Sequence, residues 1–336
     1  MKNSRRIKSF LIIAVMLVGG GILIGLGVVK KLNSNQLKVL IVGDSISEGS
    51  GASNPSLHWY KSLIPYMKET YGVKLDITNV SMGGTRSYAG YVRLMELDDE
   101  EDFDLAIICY GENDLPEELS LYYESILYTI RHKYPECKLM TILESSQREY
   151  TDKIKTIQSL SEYYGAYVVD TIAAFNDSGK TYEELCNDGT HPNDEGQKVY
   201  YEVTKPLMDL FYAEKESKTL PVVEPVNPEV VNFNKFIYYP LKDFTKIDDV
   251  TYELDTDTLS GTLGIDYTSV QGENHMLIYA DGENVCDRHI IWDLSFQMWF
   301  IEKVVDKCEI NSKIRLEFSS KEQMENFHGL IIHNYD

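Results

Sequence analysis

The sequence predicts two structural parts: a doubly wound α/β domain with a mostly parallel sheet, followed by an all-β, sandwich-like domain. Between residues 37 and 214, short apolar runs alternate with amphipathic stretches at helical spacing, a pattern typical of parallel sheets covered by helices on both faces. From residue 231 to 336 the runs are β-branched and aromatic, with period-two alternation and no long helical pattern. A proline-rich stretch at 215–230 lies between them, and we expect it to be an extended linker.

The first 36 residues differ from the rest of the chain in charge and hydropathy. They contain six Lys/Arg and no acidic residue, and an uncharged run of 20 residues extends from Phe10 to Val29. A helix of that length spans the hydrocarbon core, about 30 Å at 1.5 Å per residue. Residues 1–36 therefore predict a cytoplasmic stub and a single-pass membrane anchor at about 10–29, with the rest of the chain facing outward. The alternative is a secreted protein whose signal is cleaved.

The remaining chain is acidic, and this excludes some partners. The formal net charge of the 336 residues is −21, with 17 basic and 32 acidic side chains in 37–219 and 9 against 19 from 231 onward. Nucleic acid needs a basic surface, so we do not expect it as a partner. The five cysteines show no C-x-x-C and no metal-ligand spacing. Whether Cys286 and Cys308 pair is left open.

Apolar runs and amphipathic stretches predict the elements of the first domain. Strands are expected at 37–42, 74–81, 104–111, 138–145 and 166–171. Helices are expected at 57–72, 118–134, 152–165 and 193–214. In such sheets, ligands bind beyond the carboxyl ends of the strands, so we expect function in the loops that follow them.

Six or seven short strands predict a β-sandwich for residues 231–336. Asp281-Gly282, between two apolar runs, is a hairpin signal. Trp292 and Trp299 are candidates for a sugar-stacking surface, although an aromatic core is the commoner use of such residues.

Side chains suited to acyl transfer follow the predicted strands. The motif "GDSISEG" places Ser45 after the first strand, where the motif alone fits either a simple turn or a nucleophile. "NVSMGGTRS" follows the second strand with two adjacent glycines, and "GEND" follows the third with Asn113. "NDGTHP" places Asp188 and His191 three residues apart, so that the carboxylate can orient the imidazole. Together these groups supply a nucleophile, a base, its orienting group and oxyanion donors.

In these blocks the sequence resembles the SGNH, or GDSL-type, hydrolases. "GDSISEG", "NVSMGGTRS", "GEND" and "DGTHP" match the family's separated blocks in order, over about residues 37–214. The resemblance implies a flavodoxin-like three-layer α/β/α sandwich with a mostly parallel five-stranded sheet. It also implies Ser45 as the nucleophile, His191 as the general base and acid, and Asp188 as the group that orients His191.

The same resemblance implies an oxyanion hole and no cofactor. The donors would be the backbone N–H groups of Ser45 and Gly84 and the side-chain amide of Asn113. The family's N-x-[SG]-x-x-G spacing starts at Asn79 and selects the second glycine of the pair. The reaction needs no metal and no organic cofactor. Trp59, beyond the nucleophile loop, is a candidate to border the substrate pocket, with a place in the helix core as the alternative.

The sequence therefore predicts a serine esterase. The leading hypothesis is removal of O-acetyl groups from extracellular or cell-surface carbohydrate. An O-acetyltransferase, a lysophospholipase or a thioesterase with the same triad are alternatives within catalysis. A surface glycan-binding protein with an inert hydrolase fold is the alternative outside it. The expected partners are an acetylated polysaccharide and, through the N-terminal helix, a membrane.

Overall fold

The first sheet is parallel and has its apolar residues on both faces. A computed structural model describes residues 35–98, 100–217 and 224–334. The strands of this sheet are β1 (Gln36–Gly43), β2 (Lys74–Asn79), β3 (Leu105–Cys109), β4 (Lys138–Leu143) and β5 (Tyr167–Asp170). They pair in parallel in the order β2-β1-β3-β4-β5.

Helices cover both faces of this sheet. In the described residues they are α1 (Ser45–Glu48), α2 (Trp59–Tyr71), α3 (Ser87–Met95), α4 (Pro116–Lys133), α5 (Asp152–Tyr163), α6 (Thr171–Asn176), α7 (Tyr182–Leu185) and α8 (Asp194–Glu214), with short 3-10 helices at Pro55–Leu57 and Ser145–Gln147. Val39 and Ile41 of β1 pack with α2 and α8, whereas Leu40 and Val42 pack with α3, α4 and α5. Burial on both sides explains the continuous apolar run of this strand.

Two antiparallel sheets form the second domain. The strands are β6 (Phe236–Pro240), β7 (Thr245–Lys246), β8 (Thr251–Asp255), β9 (Leu259–Thr268), β10 (Gly272–Ala280), β11 (Glu283–Trp292), β12 (Trp299–Ile310), β13 (Lys313–Phe318) and β14 (Phe327–Asn334). Helix α9 (Lys321–Glu325) and 3-10 helices at Pro228–Asn234 and Leu241–Asp243 complete it. One sheet has the order β11-β10-β13-β8-β7 and the other β12-β9-β14-β6, with one apolar cluster between them. The predicted fold class is confirmed for both domains.

Local features of the β domain follow from single residues. Asp281 and Gly282 have φ values of 49° and 90° and join β10 to β11, as expected of a two-residue hairpin turn. All five cysteines of the chain are free and buried, so Cys286 and Cys308 are not linked by a disulfide.

The two domains share a buried interface around α3. The hydroxyl of Tyr88 in α3 lies 2.9 Å from Nε2 of His333 in β14, and both side chains are buried. Burial lowers the pKa of His333 to about 3, so this ring is neutral at physiological pH. Ile301 and Ile331 of the β domain belong to the apolar cluster that also contains the helices of the α/β domain. The domains therefore pack through one continuous core.

The segment expected to be an extended linker is docked on α4 as far as the structure describes it. The backbone N–H groups of Val226 and Asn227 donate to the buried carboxylate of Glu124 at 2.5 and 2.8 Å. Val230 is buried in the apolar cluster of the α/β domain. Residues 218–223 lie outside the described part of the chain, and the domain boundaries stay predictions.

The predicted single-pass membrane localisation is wrong for the described chain. None of the described helices is sufficiently long and apolar to cross a bilayer. The longest of them, α8, is amphipathic and carries exposed charges such as Lys198 and Glu202. The segment at 10–29, on which that prediction depended, lies outside the described residues.

Candidate active site

Ser45 begins α1 directly after β1, at the carboxyl edge of the parallel sheet. Asp44 caps this short helix, since its carboxylate accepts a hydrogen bond of 3.0 Å from the N–H of Ile46. A Cβ at Gly43 would lie 2.4 Å from the carbonyl oxygen of Cys109, so the chain can approach β3 closely only with glycine there. Ser45 is 7% exposed. The strand, the cap and the glycine thus fix the position of its hydroxyl.

A continuous set of hydrogen bonds joins Ser45, His191 and Asp188. His191 Nε2 lies 2.8 Å from Ser45 Oγ, across 146 residues of sequence, and His191 Nδ1 lies 2.6 Å from Asp188 Oδ2. The other carboxylate oxygen accepts from the N–H groups of Thr190 and His191 at 3.0 and 2.8 Å. Partial desolvation raises the pKa of Asp188, but these hydrogen bonds outweigh it and lower the pKa to about 2. Asp188 is therefore ionised at neutral pH and accepts from the imidazole.

Gln197 of α8 ties the histidine loop to the nucleophile loop. Its Nε2 donates to the carbonyl oxygens of Pro192 and Ser50 at 3.1 and 3.4 Å. Its Oε1 accepts from the N–H of Trp59 at 2.9 Å. One buried amide thus hydrogen-bonds main-chain groups from three segments. These bonds fix the position of the His191 loop relative to the turn that carries Ser45.

Trp59 itself is a core residue. Its side chain is fully buried, with ring centroids 5.6 Å from Tyr60 and 6.5 Å from Tyr200. Leu63 and Met67, four and eight residues further along α2, are buried on the same face. The expectation that Trp59 borders the substrate pocket is corrected, because the helical period that predicts α2 also turns this position toward the core.

The predicted oxyanion residues lie beside the nucleophile turn. Asn113 Nδ2 donates to the carbonyl oxygen of Thr85 at 3.1 Å and to the carboxylate of Asp44 at 3.3 Å. Gly84 has a φ of 70°, which glycine adopts without strain. Asn79, the first residue of that block, donates to a carbonyl oxygen of α1 at 2.9 Å. These contacts hold both loops against the segment that carries Ser45.

Residues 41–199 match the model of the GDSL-like lipase/acylhydrolase family. The α/β domain belongs to this family. The chain is thus a carboxylic ester hydrolase, and the resemblance inferred from its sequence blocks is confirmed. Below, residues 35–217 are called the GDSL domain.

Solved structures with a similar fold include a two-domain esterase active on acetylated mannans, crystallised with mannopentaose. It is 16% identical, with a TM-score of 0.70, and the match covers 92% of this chain and 95% of that chain. A second crystal structure of a two-domain esterase active on acetylated mannans gives the same values. An acetylxylan esterase from Geobacillus stearothermophilus is 18% identical, with a TM-score of 0.44 and coverage of 51% and 93%. No curated protein sequence matched the chain. The first two matches show the fold over both domains.

Glu48 is a residue of the GDSL domain's site that the motifs did not single out. It lies three residues after Ser45 in α1, and a Cβ at Gly83 would lie 2.6 Å from Glu48 Oε2 and 3.6 Å from Ser45 Cβ. Partial desolvation raises the pKa of Glu48, while the N–H of Gly83 and the charge of His191 oppose that rise. Its spacing of one helical turn from the nucleophile is the signal that reveals it.

The β domain reaches the same edge of the GDSL domain. A Cβ at Gly84 would lie 2.9 Å from Met298 Cε and 3.5 Å from a ring carbon of Phe300. The ring of Trp292 lies 5.5 Å from that of Phe300 and 6.1 Å from that of Phe296, which is 56% exposed. We call these four β-domain side chains the apolar wall. It borders the oxyanion loop on one side.

Buried acidic side chains lie beneath the nucleophile turn. Asp44, Asp114 and Glu144 are all buried, and Glu144 accepts from the N–H of Glu112 at 2.7 Å and from Cys109 Sγ at 3.3 Å. Desolvation raises the pKa of Asp44 to about 8 and raises the pKa of Glu144 and Asp114 as well. Asp44 and Glu144 also hydrogen-bond each other. We infer that this pair holds a proton at neutral pH.

The buried acid pair predicts a loss of stability as the pH rises. The pKa of Asp44 increases from its usual 3.8 to about 8 on folding, so the folded state binds the proton more tightly, and stability falls between about pH 4 and pH 8. One such group changes the free energy of unfolding by at most about 1.4 kcal/mol per pH unit, which is about 2–4 °C in Tm. Glu144→Gln should flatten the dependence of Tm on pH, whereas the exposed Glu149→Gln should not. Parallel slopes for wild type and Glu144→Gln would contradict the pairing.

Proposed function

We propose that this protein is a carbohydrate O-acetylesterase that works through a Ser45 acyl-enzyme. The observation that supports it most is the hydrogen-bonded series Ser45–His191–Asp188. His191 Nε2 takes the proton of Ser45 Oγ as that oxygen attacks the ester carbonyl, and Asp188 stabilises the imidazolium. His191 then protonates the departing sugar oxygen, which leaves as a hydroxyl, and in the second half of the reaction it activates the water that releases acetate.

The negative charge that develops on the carbonyl oxygen needs preorganised donors. We assign this role to the backbone N–H groups of Ser45 and Gly84 and to the amide of Asn113. Asn113 Nδ2 donates to the carbonyl oxygen of Thr85 at 3.1 Å and to the carboxylate of Asp44 at 3.3 Å, which holds the amide next to the turn that carries Ser45. The longer of these hydrogen bonds, to Asp44, gives way when Asn113 donates to the oxyanion. The two backbone donors are fixed before the reaction and act without the cost of reorganisation, which makes them effective.

Removal of the Asn113 donor should slow the chemical step. Asn113→Ala is expected to lower kcat by about 10²–10³-fold, equivalent to about 2.7–4 kcal/mol, with a smaller change in KM because the donor acts on the transition state. The control is Asn284→Ala, which removes an exposed amide in the β domain. Steady-state kinetics on p-nitrophenyl acetate give kcat and KM for both variants. A loss below about threefold in a variant with wild-type Tm would exclude Asn113 as a donor.

A short acyl group on a sugar suits the surroundings of Ser45. Met298 and Phe300 lie against Gly84 and so restrict the space for a long acyl chain. The half-buried Trp292 and the exposed Phe296 of the apolar wall offer ring faces on which the C–H groups of a sugar can pack. The two-domain esterase with the same fold acts on acetylated mannans, and this supports an acetylated polysaccharide as the substrate class.

The experiment that tests this proposal compares esters and acceptors. Wild type should release acetate from acetylated mannan or xylan oligosaccharides and should prefer p-nitrophenyl acetate over longer esters up to the dodecanoate. Transfer of acetyl to an added glycan would show an acetyltransferase, and preference for long chains would show a lipase or thioesterase. Failure of a fluorophosphonate probe to label Ser45 would favour a glycan-binding protein without activity.

A further inference from the structure

The β domain carries His275, Asp287 and His289 together on the outer face of the sheet β11-β10-β13-β8-β7. His275 lies in β10, and its neighbours Asn274 and Met276 are buried toward the sandwich core. The side chains of His275, Asp287 and His289 are 34%, 53% and 58% exposed. The cluster shares no residue with the triad. Spacing along the sequence does not reveal it, because the residues meet across a hairpin.

Backbone pairing explains why the two imidazoles lie so close. His275 is the direct cross-strand partner of His289. The N–H of His275 donates to Ser319 Oγ at 3.0 Å, and its carbonyl oxygen accepts from the N–H of Ser319 at 2.8 Å. Its main-chain groups therefore point away from β11, and the pair is of the non-hydrogen-bonded kind, in which side chains are nearest. The two rings stack with centroids 4.1 Å apart and an interplanar angle of 21°.

Both imidazoles direct the same nitrogen at one carboxylate oxygen. His289 Nε2 lies 3.3 Å from Asp287 Oδ1, and His275 Nε2 contacts that oxygen too. The three potential ligand atoms all lie within 4.8 Å of one another. Tetrahedral zinc with bonds of about 2.0–2.2 Å keeps its ligand atoms about 3.4 Å apart. Small side-chain rotations would therefore bring all three atoms to one ion, and their exposure leaves a side open for water.

We propose that His275, Asp287 and His289 bind a divalent transition-metal ion, with zinc as the best fit. Two imidazoles and one carboxylate suit zinc, copper and nickel, whereas calcium and magnesium prefer oxygen ligands throughout. Glu273, two residues before His275 and on the same face of β10, adds negative charge nearby. Because β11 is an edge strand, an ion bound here joins it to β10. The ion binds the folded chain in preference to the unfolded chain and so raises its stability.

Calorimetric titration of the full chain with Zn²⁺ tests the proposal. The protein is purified without a histidine tag and freed of metal with a chelator. Wild type should bind one Zn²⁺ and show a higher Tm with it, while Ca²⁺ should do neither. Each of His275→Gln, His289→Gln and Asp287→Asn should weaken binding at least about tenfold. His328→Gln and Asp293→Asn remove an imidazole and a carboxylate elsewhere in the β domain, and both should bind like wild type.

Three results would overturn the proposal, and folding is checked separately. Zinc binding of equal strength in His275→Gln and His289→Gln would place the ion elsewhere, and so would loss of the bound ion in His191→Gln. Tighter binding of Ca²⁺ than of Zn²⁺ would exclude a site formed by two imidazoles and one carboxylate. Because the three side chains lie on the solvent face, each variant should keep its metal-free Tm within about 2 °C of wild type. The visible absorption of bound Co²⁺ gives a second readout, expected in wild type and lost in both histidine variants.

Discussion

Ser45→Ala is expected to lower kcat for ester hydrolysis by about 10⁶-fold while Tm stays close to that of wild type. The hydroxyl oxygen forms the acyl-enzyme, and its hydrogen bond of 2.8 Å to His191 Nε2 is the route by which it loses its proton. The methyl group of alanine fits the same space. The rate of the variant should still exceed that of the uncatalysed reaction in water, because the oxyanion donors and substrate binding remain.

The control for this substitution is Ser56→Ala, at an exposed serine in the 3-10 helix Pro55–Leu57, and it should retain wild-type kcat. Hydrolysis of p-nitrophenyl acetate and labelling by a fluorophosphonate probe are measured in parallel. Loss of both in Ser45→Ala, with circular dichroism unchanged, is the expected pattern. Wild-type turnover by a folded Ser45→Ala protein would remove the basis of the mechanism.

The parallel sheet and its larger helices could be predicted because burial of particular faces leaves a regular pattern of apolar residues in the sequence. The run at 37–42 is apolar throughout, since β1 is covered on both sides, and helices such as α8 show one apolar stripe. Helix α3 gives no such signal: seven of its residues, among them Tyr88, Gly90 and Leu94, are buried. It packs against its own domain on one side and the β domain on the other, so its sequence has no polar face from which to infer a period.

The candidate active site likewise contains features that could be predicted from the sequence and features that could not. The three loops that carry Ser45, Gly84 and Asn113 meet because parallel strands direct their carboxyl ends to one edge of the sheet, and this rule needs only the order of the elements. The loop with Asp188 and His191 lies between α7 and α8. The contact of Met298 and Phe300 with Gly84 depends on how two domains pack, and no local pattern encodes that arrangement. Trp59 is the opposite case. It lies near the nucleophile in sequence, but its side chain is on the buried side of α2.

Asp188→Asn is expected to lower kcat by about 10⁴-fold, less than the loss of the nucleophile. Asp188 Oδ2 accepts from His191 Nδ1 at 2.6 Å, which leaves Nε2 free of a proton and able to receive the one from Ser45. An asparagine NH2 at that position donates instead, so Nδ1 must become the acceptor and Nε2 carries the hydrogen. A ring in that tautomer cannot act as a base toward Ser45.

The loop should survive this substitution, because the asparagine oxygen can still accept from the N–H groups of Thr190 and His191. The control is the exposed Asp177→Asn, which removes the same charge and should leave kcat unchanged. The pKa of Asp188 is lowered to about 2 from its usual 3.8, so the stability that its charge contributes is present above about pH 4 and is lost as the pH falls toward 2. The difference in Tm between wild type and Asp188→Asn should therefore shrink on acidification. A loss of kcat of less than tenfold would mean that backbone contacts alone orient His191.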